Sequence, residues 1–126
     1  MANESILIVD DSAMIQKMVR FVLQSEGYVI QTASGGNEAL SILHTFKPKL
    51  VLMDMQMPGI DGLETTRRIK ANPDTRGIIV LALTASAMKG DEEKALSAGC
   101  DGYITKPFTN QKMLSSIREY LDAASG

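Results

Sequence analysis

Short runs of apolar residues recur along the chain, separated by polar segments that favour turns. The runs at 5–9, 50–53 and 78–83 are nearly continuous, which predicts strands that are buried on both faces of a parallel sheet. A segment at 28–33 alternates well enough to be another strand, and a short one at 102–105 completes the set. The hydrophobic pattern therefore predicts five strands.

The segments between these strands carry apolar residues at helical spacing, which predicts a helix after each strand. Ser12 is a suitable N-cap for the first helix, Gly27 a suitable end for it, and Pro48 a stop for the second. The predicted inner faces of the first two helices are Ile15, Met18, Val19 and Val22, and Ala39, Leu40, Ile42 and Leu43. The predicted helices span residues 13–26, 37–46, about 61–71, 87–98 and 109 to about 123.

Strands that alternate with helices predict an α/β fold, doubly wound, in which right-handed crossovers cover both faces of one parallel sheet. Such sheets place their sites beyond the carboxyl ends of the strands, where the winding direction reverses. Polar residues at those ends should therefore meet at one edge, although they lie far apart in the sequence. They are Asp10, Asp11, Asp54, Thr84 and Lys106.

Length and composition narrow the class of protein. A chain of 126 residues, with 44% hydrophobic and 22% charged residues, suits one globular domain over 1–126 with an ordered core at about 5–123. The net charge of −2 gives no general attraction to nucleic acid. No apolar run is long enough to insert in a membrane, and the N-terminus lacks the pattern of a signal peptide. Cys100 is the only cysteine, so the default expectation is a cytoplasmic location.

The acidic residues at the predicted edge suggest phosphoryl chemistry. Three carboxylates in one pocket repel each other unless a cation is present, and oxygen-only ligands suit Mg²⁺ in a site that phosphate completes. Asp54 could attack a phosphoryl group and form an aspartyl phosphate. Lys106 would supply a second cation, and the Thr84 hydroxyl could donate a hydrogen bond. Each residue alone also fits an ordinary cap, turn or loop, but their joint occurrence at the strand ends favours a site.

Three segments carry a family resemblance: ILIVDDS at 6–12, LMDMQMPGIDG at 52–62 and YITKPF at 103–108. They resemble the receiver domains of response regulators, of the single-domain chemotaxis-regulator type, and the resemblance covers essentially the whole chain. It implies a flavodoxin-like fold with strand order 2-1-3-4-5. It also implies a two-component or phosphorelay switch, in which Asp54 takes a phosphoryl group from a phosphohistidine on a histidine kinase or histidine phosphotransfer protein.

The resemblance implies a role for each site residue. Asp11 and Asp54 would bind Mg²⁺ directly, with the backbone carbonyl of Gln56 as the third protein ligand and Asp10 acting through water. The domain is expected to be a signalling switch and not an enzyme, because it would catalyse only its own phosphotransfer and autodephosphorylation.

The same resemblance assigns the switch. Lys106 would contact the phosphoryl group, and the bond between Lys106 and Pro107 would be cis. Thr84 and Tyr103 match the family's switch pair. A downstream protein would bind the face formed by the fourth helix, the fifth strand and the last helix, at about 87–121.

Two other functions fit parts of this pattern less well: a phosphatase and a receiver that acts only as a binding module. A haloacid-dehalogenase-type phosphatase needs an acid two residues after its nucleophile, where this chain has Gln56, and 126 residues leave little room for a cap domain. A receiver that only binds partners would have lost an acid, Asp54 or Lys106, and this chain has kept all of them.

The chain is either a stand-alone protein or a domain of a longer one, such as a hybrid kinase. His44 is expected on a helix surface and Cys100 in a packed turn.

Overall fold

The computed structural model describes residues 4–55, 60–84, 89–105 and 109–125. In this part of the chain five strands alternate with five helices. The strands are β1 (Ser5–Val9), β2 (Val29–Ala33), β3 (Leu50–Asp54), β4 (Ile79–Thr84) and β5 (Gly102–Thr105). The helices are α1 (Ala13–Ser25), α2 (Gly36–Ile42), α3 (Gly62–Ala71), α4 (Lys89–Ala98) and α5 (Asn110–Ser125).

All strands are parallel and form one sheet in the order β2-β1-β3-β4-β5, which confirms the predicted fold class and strand order. The chain first adds β2 on one side of β1 and then crosses to add β3 on the other side. The winding therefore reverses between β1 and β3, and the carboxyl ends of these two central strands flank the reversal point.

Side chains of each strand alternate between the two faces of the sheet, and each face has its own apolar cluster. Ile6 and Ile8 of β1 pack in a cluster with residues of α1 and α5, whereas Leu7 and Val9 pack with residues of α2, α3 and α4. β3 and β4 divide in the same way. This burial on both faces explains why the central strands are almost continuously apolar.

The first helix begins and ends as its sequence predicts. Ser12 caps α1 by accepting a hydrogen bond from the Ile15 N–H at 3.3 Å. Gly27 takes a φ of 93°, which favours glycine, and its N–H bonds to the Gln24 carbonyl. The Tyr28 N–H bonds to the Leu23 carbonyl at 3.2 Å, completing a Schellman motif. This motif turns the chain directly into β2.

Two predictions about the helices are wrong in detail. α2 ends at Ile42 instead of Phe46, because Leu43–Thr45 form a turn and the Lys47 ammonium bonds to the Leu43 carbonyl. Pro48 therefore follows the turn and is not the stop. In α1, Met18 is 48% exposed and Leu23 is fully buried, because the inner face is rotated toward Val19 and Leu23. No described helix is both long and apolar enough to cross a membrane.

Candidate functional site

Three acidic side chains meet where the winding of the sheet reverses. Asp10 and Asp11 directly follow β1, and Asp54 is the last residue of β3. One carboxylate oxygen from each lies within 4.8 Å of those of the other two. Asp10 and Asp54 are buried and Asp11 is exposed, so the cluster is a pocket with one side open to solvent. The topology thus brings together the three acids that the sequence pattern singled out.

Asp10 is held in place by the start of α1. The Ser12 N–H donates to the Asp10 carboxylate at 2.8 Å. The Gln16 side-chain amide donates to the Asp10 carbonyl at 2.6 Å and to the Ala33 carbonyl at 3.0 Å. Gln16 therefore ties the ends of β1 and β2 to α1, a role that sequence reasoning missed. The one indication of this role is that Gln16 is a polar residue one turn after the Ser12 N-cap, on a half-buried part of α1.

Asp54 is supported by a close approach of α3. A Cβ atom on Gly62 would lie 2.3 Å from the Asp54 carbonyl oxygen and 2.8 Å from the Met55 Cα, so only glycine fits here. Asp61 caps the helix by accepting from the Glu64 N–H at 2.9 Å. The first turn of α3 therefore lies against the backbone that carries the acidic side chain. Apart from the glycine itself, no residue of the sequence indicates this contact.

Thr84 and Tyr103 lie on β4 and β5, the two strands that follow β3 in the sheet. Asp54 pairs with Leu83 in the register of β3 and β4, which places Thr84 one residue further along the same edge. Tyr103 pairs with Ala82, so Tyr103 and Thr84 face the same side of the sheet. Thr84 is buried, whereas Tyr103 is 38% exposed. The exposed side chain of Tyr103 on β5 is thus separated from Asp54 on β3 by a single strand, β4, which carries Thr84.

Several predicted site residues lie outside the described residues. They are Gln56, Lys106 and Pro107, together with the start of the predicted partner face at 87–88. Their contacts, including the predicted cis bond between Lys106 and Pro107, remain predictions.

His44 and Cys100 lie away from the acidic edge. His44 is exposed in the turn that follows α2, and not on the helix itself as predicted. This turn leads toward the amino end of β3, which is opposite to the acidic cluster. Cys100 is buried 3.7 Å from the Thr66 hydroxyl, and burial raises the pKa of its thiol. These placements favour ordinary surface and packing roles.

The donor set of the cluster suits a small, hard cation. Two oxygens bound directly to one Mg²⁺ ion can lie up to about 4.2 Å apart, and an oxygen that reaches the ion through water can lie further away. A spread of 4.8 Å among three carboxylates therefore fits a mixture of direct and water-mediated contacts. Mutual repulsion of the three negative charges would favour such an ion. On donor chemistry and spacing, the residues fit Mg²⁺.

Comparisons with known proteins agree with this geometry. The sequence profile of the response regulator receiver domain matches residues 6–118. The polar-differentiation response regulator DivK of Brucella anthropi is 39% identical over 121 residues, which are 96% of this chain and 98% of that protein. The chemotaxis response regulator CheY4 of Vibrio cholerae matches with a TM-score of 0.89 and 27% identity, over 94% of this chain and 98% of that chain.

A fourth comparison concerns the metal. The receiver domain of a sensor histidine kinase from Pseudomonas aeruginosa, solved with a magnesium ion coordinated in its active-site cleft, matches with a TM-score of 0.88 and 31% identity. The match covers 96% of this chain and 99% of that chain. Sequence profile, relatives and fold agree, and the chain belongs to the response regulator receiver domain family, whose function is a phosphorylation-based switch in two-component signalling.

Proposed function

We propose that Asp54 is the phospho-acceptor of this receiver domain and that Asp10 and Asp11 complete a Mg²⁺ site beside it. The observation that carries the proposal is the cluster of three carboxylates within 4.8 Å at the reversal point of the sheet. Asp54 is the most suitable acceptor because it ends the central strand next to Thr84. Asp10 is almost fully buried and is oriented by the Ser12 N–H, which suits a supporting role.

In the proposed reaction, a carboxylate oxygen of Asp54 attacks the phosphorus atom of a phosphohistidine. The P–N bond breaks, and the leaving imidazole nitrogen takes up a proton. When bound, Mg²⁺ would neutralise negative charge on the acids and on the transferring group. Asp11 and Asp54 would hold it directly and Asp10 through water, with the Gln56 carbonyl as a further ligand.

Two residues would recognise the phosphoryl group after transfer. The Thr84 hydroxyl lies at the end of the neighbouring strand and would donate to a phosphoryl oxygen. Lys106 is assigned by the family resemblance and would add a positive charge. Hydrolysis of the aspartyl phosphate by the domain itself would reset the switch, and we propose no other reaction. The cytoplasmic location stays a prediction.

The phosphodonor would dock on an apolar stripe of α1. Met14, Met18 and Phe21 are 80%, 48% and 75% exposed, and their spacing places them on one face of the helix. Met14 comes three residues after Asp11, so the stripe starts beside the acidic pocket. Exposed large apolar side chains grouped in this way favour a protein contact. A histidine kinase or histidine phosphotransfer protein bound here would have its phosphohistidine close to Asp54.

The output would lie on a second face, formed by α4, β5 and α5. When Thr84 turns toward the phosphoryl group, Tyr103 would move from its exposed position into the space behind it. This change would remodel the surface that a downstream protein reads. The exposure of Tyr103 and its place on the same side of the sheet as Thr84 support this order of events.

Intact-mass spectrometry after treatment with acetyl phosphate and Mg²⁺ tests the proposal. We expect one added phosphoryl group on the wild type and on Asp122→Asn, a control that changes an exposed acid of α5. Asp54→Asn and wild-type protein in excess chelator should remain unlabelled. Equal labelling with and without chelator, or full labelling of Asp54→Asn, would contradict the proposal.

A further inference from the structure

Lys70 makes a set of contacts that the phosphorylation chemistry does not use. Its ammonium lies 2.9 Å from the Asp101 carboxylate, 2.7 Å from the Ile78 carbonyl and 3.3 Å from the Arg76 carbonyl. Its side chain is only 20% exposed. Lys70 belongs to α3, and its partners belong to the turns that precede β4 and β5. One side chain thus joins three segments at the amino ends of two strands.

Asp101 extends the same set of contacts into the sheet. The carboxylate oxygen that binds Lys70 also accepts the Val80 N–H at 2.8 Å. The Asp101 N–H in turn donates to the Val80 carbonyl at 2.8 Å. The side chain and backbone of Asp101 therefore fix the start of β5 to the start of β4.

The end of α4 is attached to the same place. Gly99 takes a φ of 111°, and a Cβ atom there would lie 2.8 Å from the Lys70 Cγ, so the backbone packs directly on the lysine stem. The Cys100 N–H bonds to the Ala95 carbonyl at 3.1 Å, and its thiol contacts the Thr66 hydroxyl of α3. The C-terminal end of α4 is therefore held against α3.

These contacts lie at the opposite ends of the strands that carry the switch residues. Thr84 is four residues beyond Val80 on β4, and Tyr103 is two residues beyond Asp101. An exposed ion pair contributes little to stability, and the Asp101 side chain is 40% exposed, but the Lys70 side chain is only 20% exposed and also binds two backbone carbonyls. The arrangement is suited to hold one end of β4, β5 and α4 while the other end changes.

We propose that the bridge between Lys70 and Asp101 is the fixed end of the switch, with Lys70 as a positioning residue. The proposal rests on the proposed phosphorylation of Asp54. The bridge keeps the amino ends of β4 and β5 and the C-terminal end of α4 in one place. Phosphorylation then changes the carboxyl halves of these strands, including Thr84 and Tyr103, and the change does not spread into the last turn of α3, which carries Lys70.

NMR of Lys70→Met with and without beryllofluoride and Mg²⁺ tests this inference. In the wild type, shift changes should reach Thr84 and Tyr103 and fade before Val80 and Asp101. In Lys70→Met they should extend through Ala95–Asp101 and the last turn of α3. Amide exchange at Val80 should be about tenfold faster, because the Asp101 carboxylate that accepts its N–H is no longer held in position by the ammonium and can turn toward solvent. Lys17→Met removes an exposed lysine of α1 and should behave like the wild type.

The outcomes separate the two proposals. If Lys70→Met shows faster exchange at Val80 but the same extent of beryllofluoride-induced change as the wild type, the bridge is only structural and the inference is wrong. If Lys70→Met does not fold, Asp101→Asn provides the same comparison, because it removes the charge and keeps an acceptor oxygen. A wild type that does not respond to beryllofluoride at all would contradict the proposed function and, with it, the inference.

Discussion

Replacement of Gly62 by alanine is the sharpest test of how the fold positions Asp54, the proposed acceptor. The new Cβ atom would lie 2.3 Å from the Asp54 carbonyl oxygen and within 3 Å of the Met55 Cα and Cε atoms. The Cε atom belongs to a flexible side chain and can move, whereas the other two atoms are backbone. The first turn of α3 and the end of β3 must therefore separate.

The size of the effect follows from these distances. Ordinary contact requires a separation of about 3.5 Å, so the backbone must shift by roughly 1 Å. Overpacking of this kind costs about 1–3 kcal/mol of unfolding free energy. A displacement of about 1 Å at a reacting group can reduce a rate up to about 100-fold. Because Mg²⁺ requires near-ideal ligand geometry, we expect slower labelling of Asp54 at every Mg²⁺ concentration.

Gly77→Ala is the matched control. No atom lies within 4 Å of the Cβ position there, and Gly77 is not among the described glycines with positive φ, which are Gly27 and Gly99. This variant should be neutral or more stable by about 0.4–1 kcal/mol. Denaturant unfolding and the initial rate of labelling by acetyl phosphate measure both effects. If Gly62→Ala is as stable as Gly77→Ala and is labelled as fast, the close approach of α3 does not position the acceptor.

Three further predictions concern other parts of the molecule. Phe21→Ser should slow phosphotransfer from a cognate phosphohistidine protein at least about tenfold, because it removes an exposed apolar contact of the stripe on α1. Labelling by acetyl phosphate should be unchanged. Equal losses with both donors would contradict docking on the apolar stripe of α1. Lys106→Ala should retain most labelling of Asp54 but lose the beryllofluoride response measured by NMR; complete loss of labelling would place Lys106 in the acceptor chemistry. Burial raises the pKa of Cys100 above 9.0 and of Tyr28 above 10.0, so the folded state favours their neutral forms. The free energy of unfolding should have its full value below pH 9.0 and should fall as the pH rises through the folded pKa values. This fall should be smaller in Cys100→Ala than in the wild type. The same pH profile in both proteins would contradict a contribution from the buried thiol.

The fold was predictable because the strands are buried on both faces. Residues such as Leu52 and Leu81 have no solvent-facing position to occupy, so the apolar runs are continuous and their ends are marked by polar residues. Parallel topology then determines which strand ends meet, and from this alone the sequence predicts the cluster of Asp10, Asp11 and Asp54. The resemblance to a family assigned their roles.

What the sequence could not predict depends on contacts between distant segments. Lys70 and Asp101 are separated by 31 positions, and neither residue type nor spacing indicates that they pair. The roles of Gln16 and Gly62 likewise depend on how closely a helix approaches a strand end. Helical spacing predicts a buried face only to within about one residue, so it places Met18 in the core, whereas in the structure packing against the sheet buries Leu23 instead. These are tertiary effects that override local pattern.

Direct identification of the phosphorylated residue tests the central claim. Borohydride reduction of the phosphorylated protein converts an aspartyl phosphate to homoserine, and tryptic cleavage after Lys49 and Arg67 separates Asp54 from Asp10 and Asp11. Peptide mass spectrometry should find homoserine at position 54 and only in samples treated with Mg²⁺ and the phosphodonor. Homoserine at position 10 or 11, or no conversion at position 54 in fully labelled protein, would contradict the account.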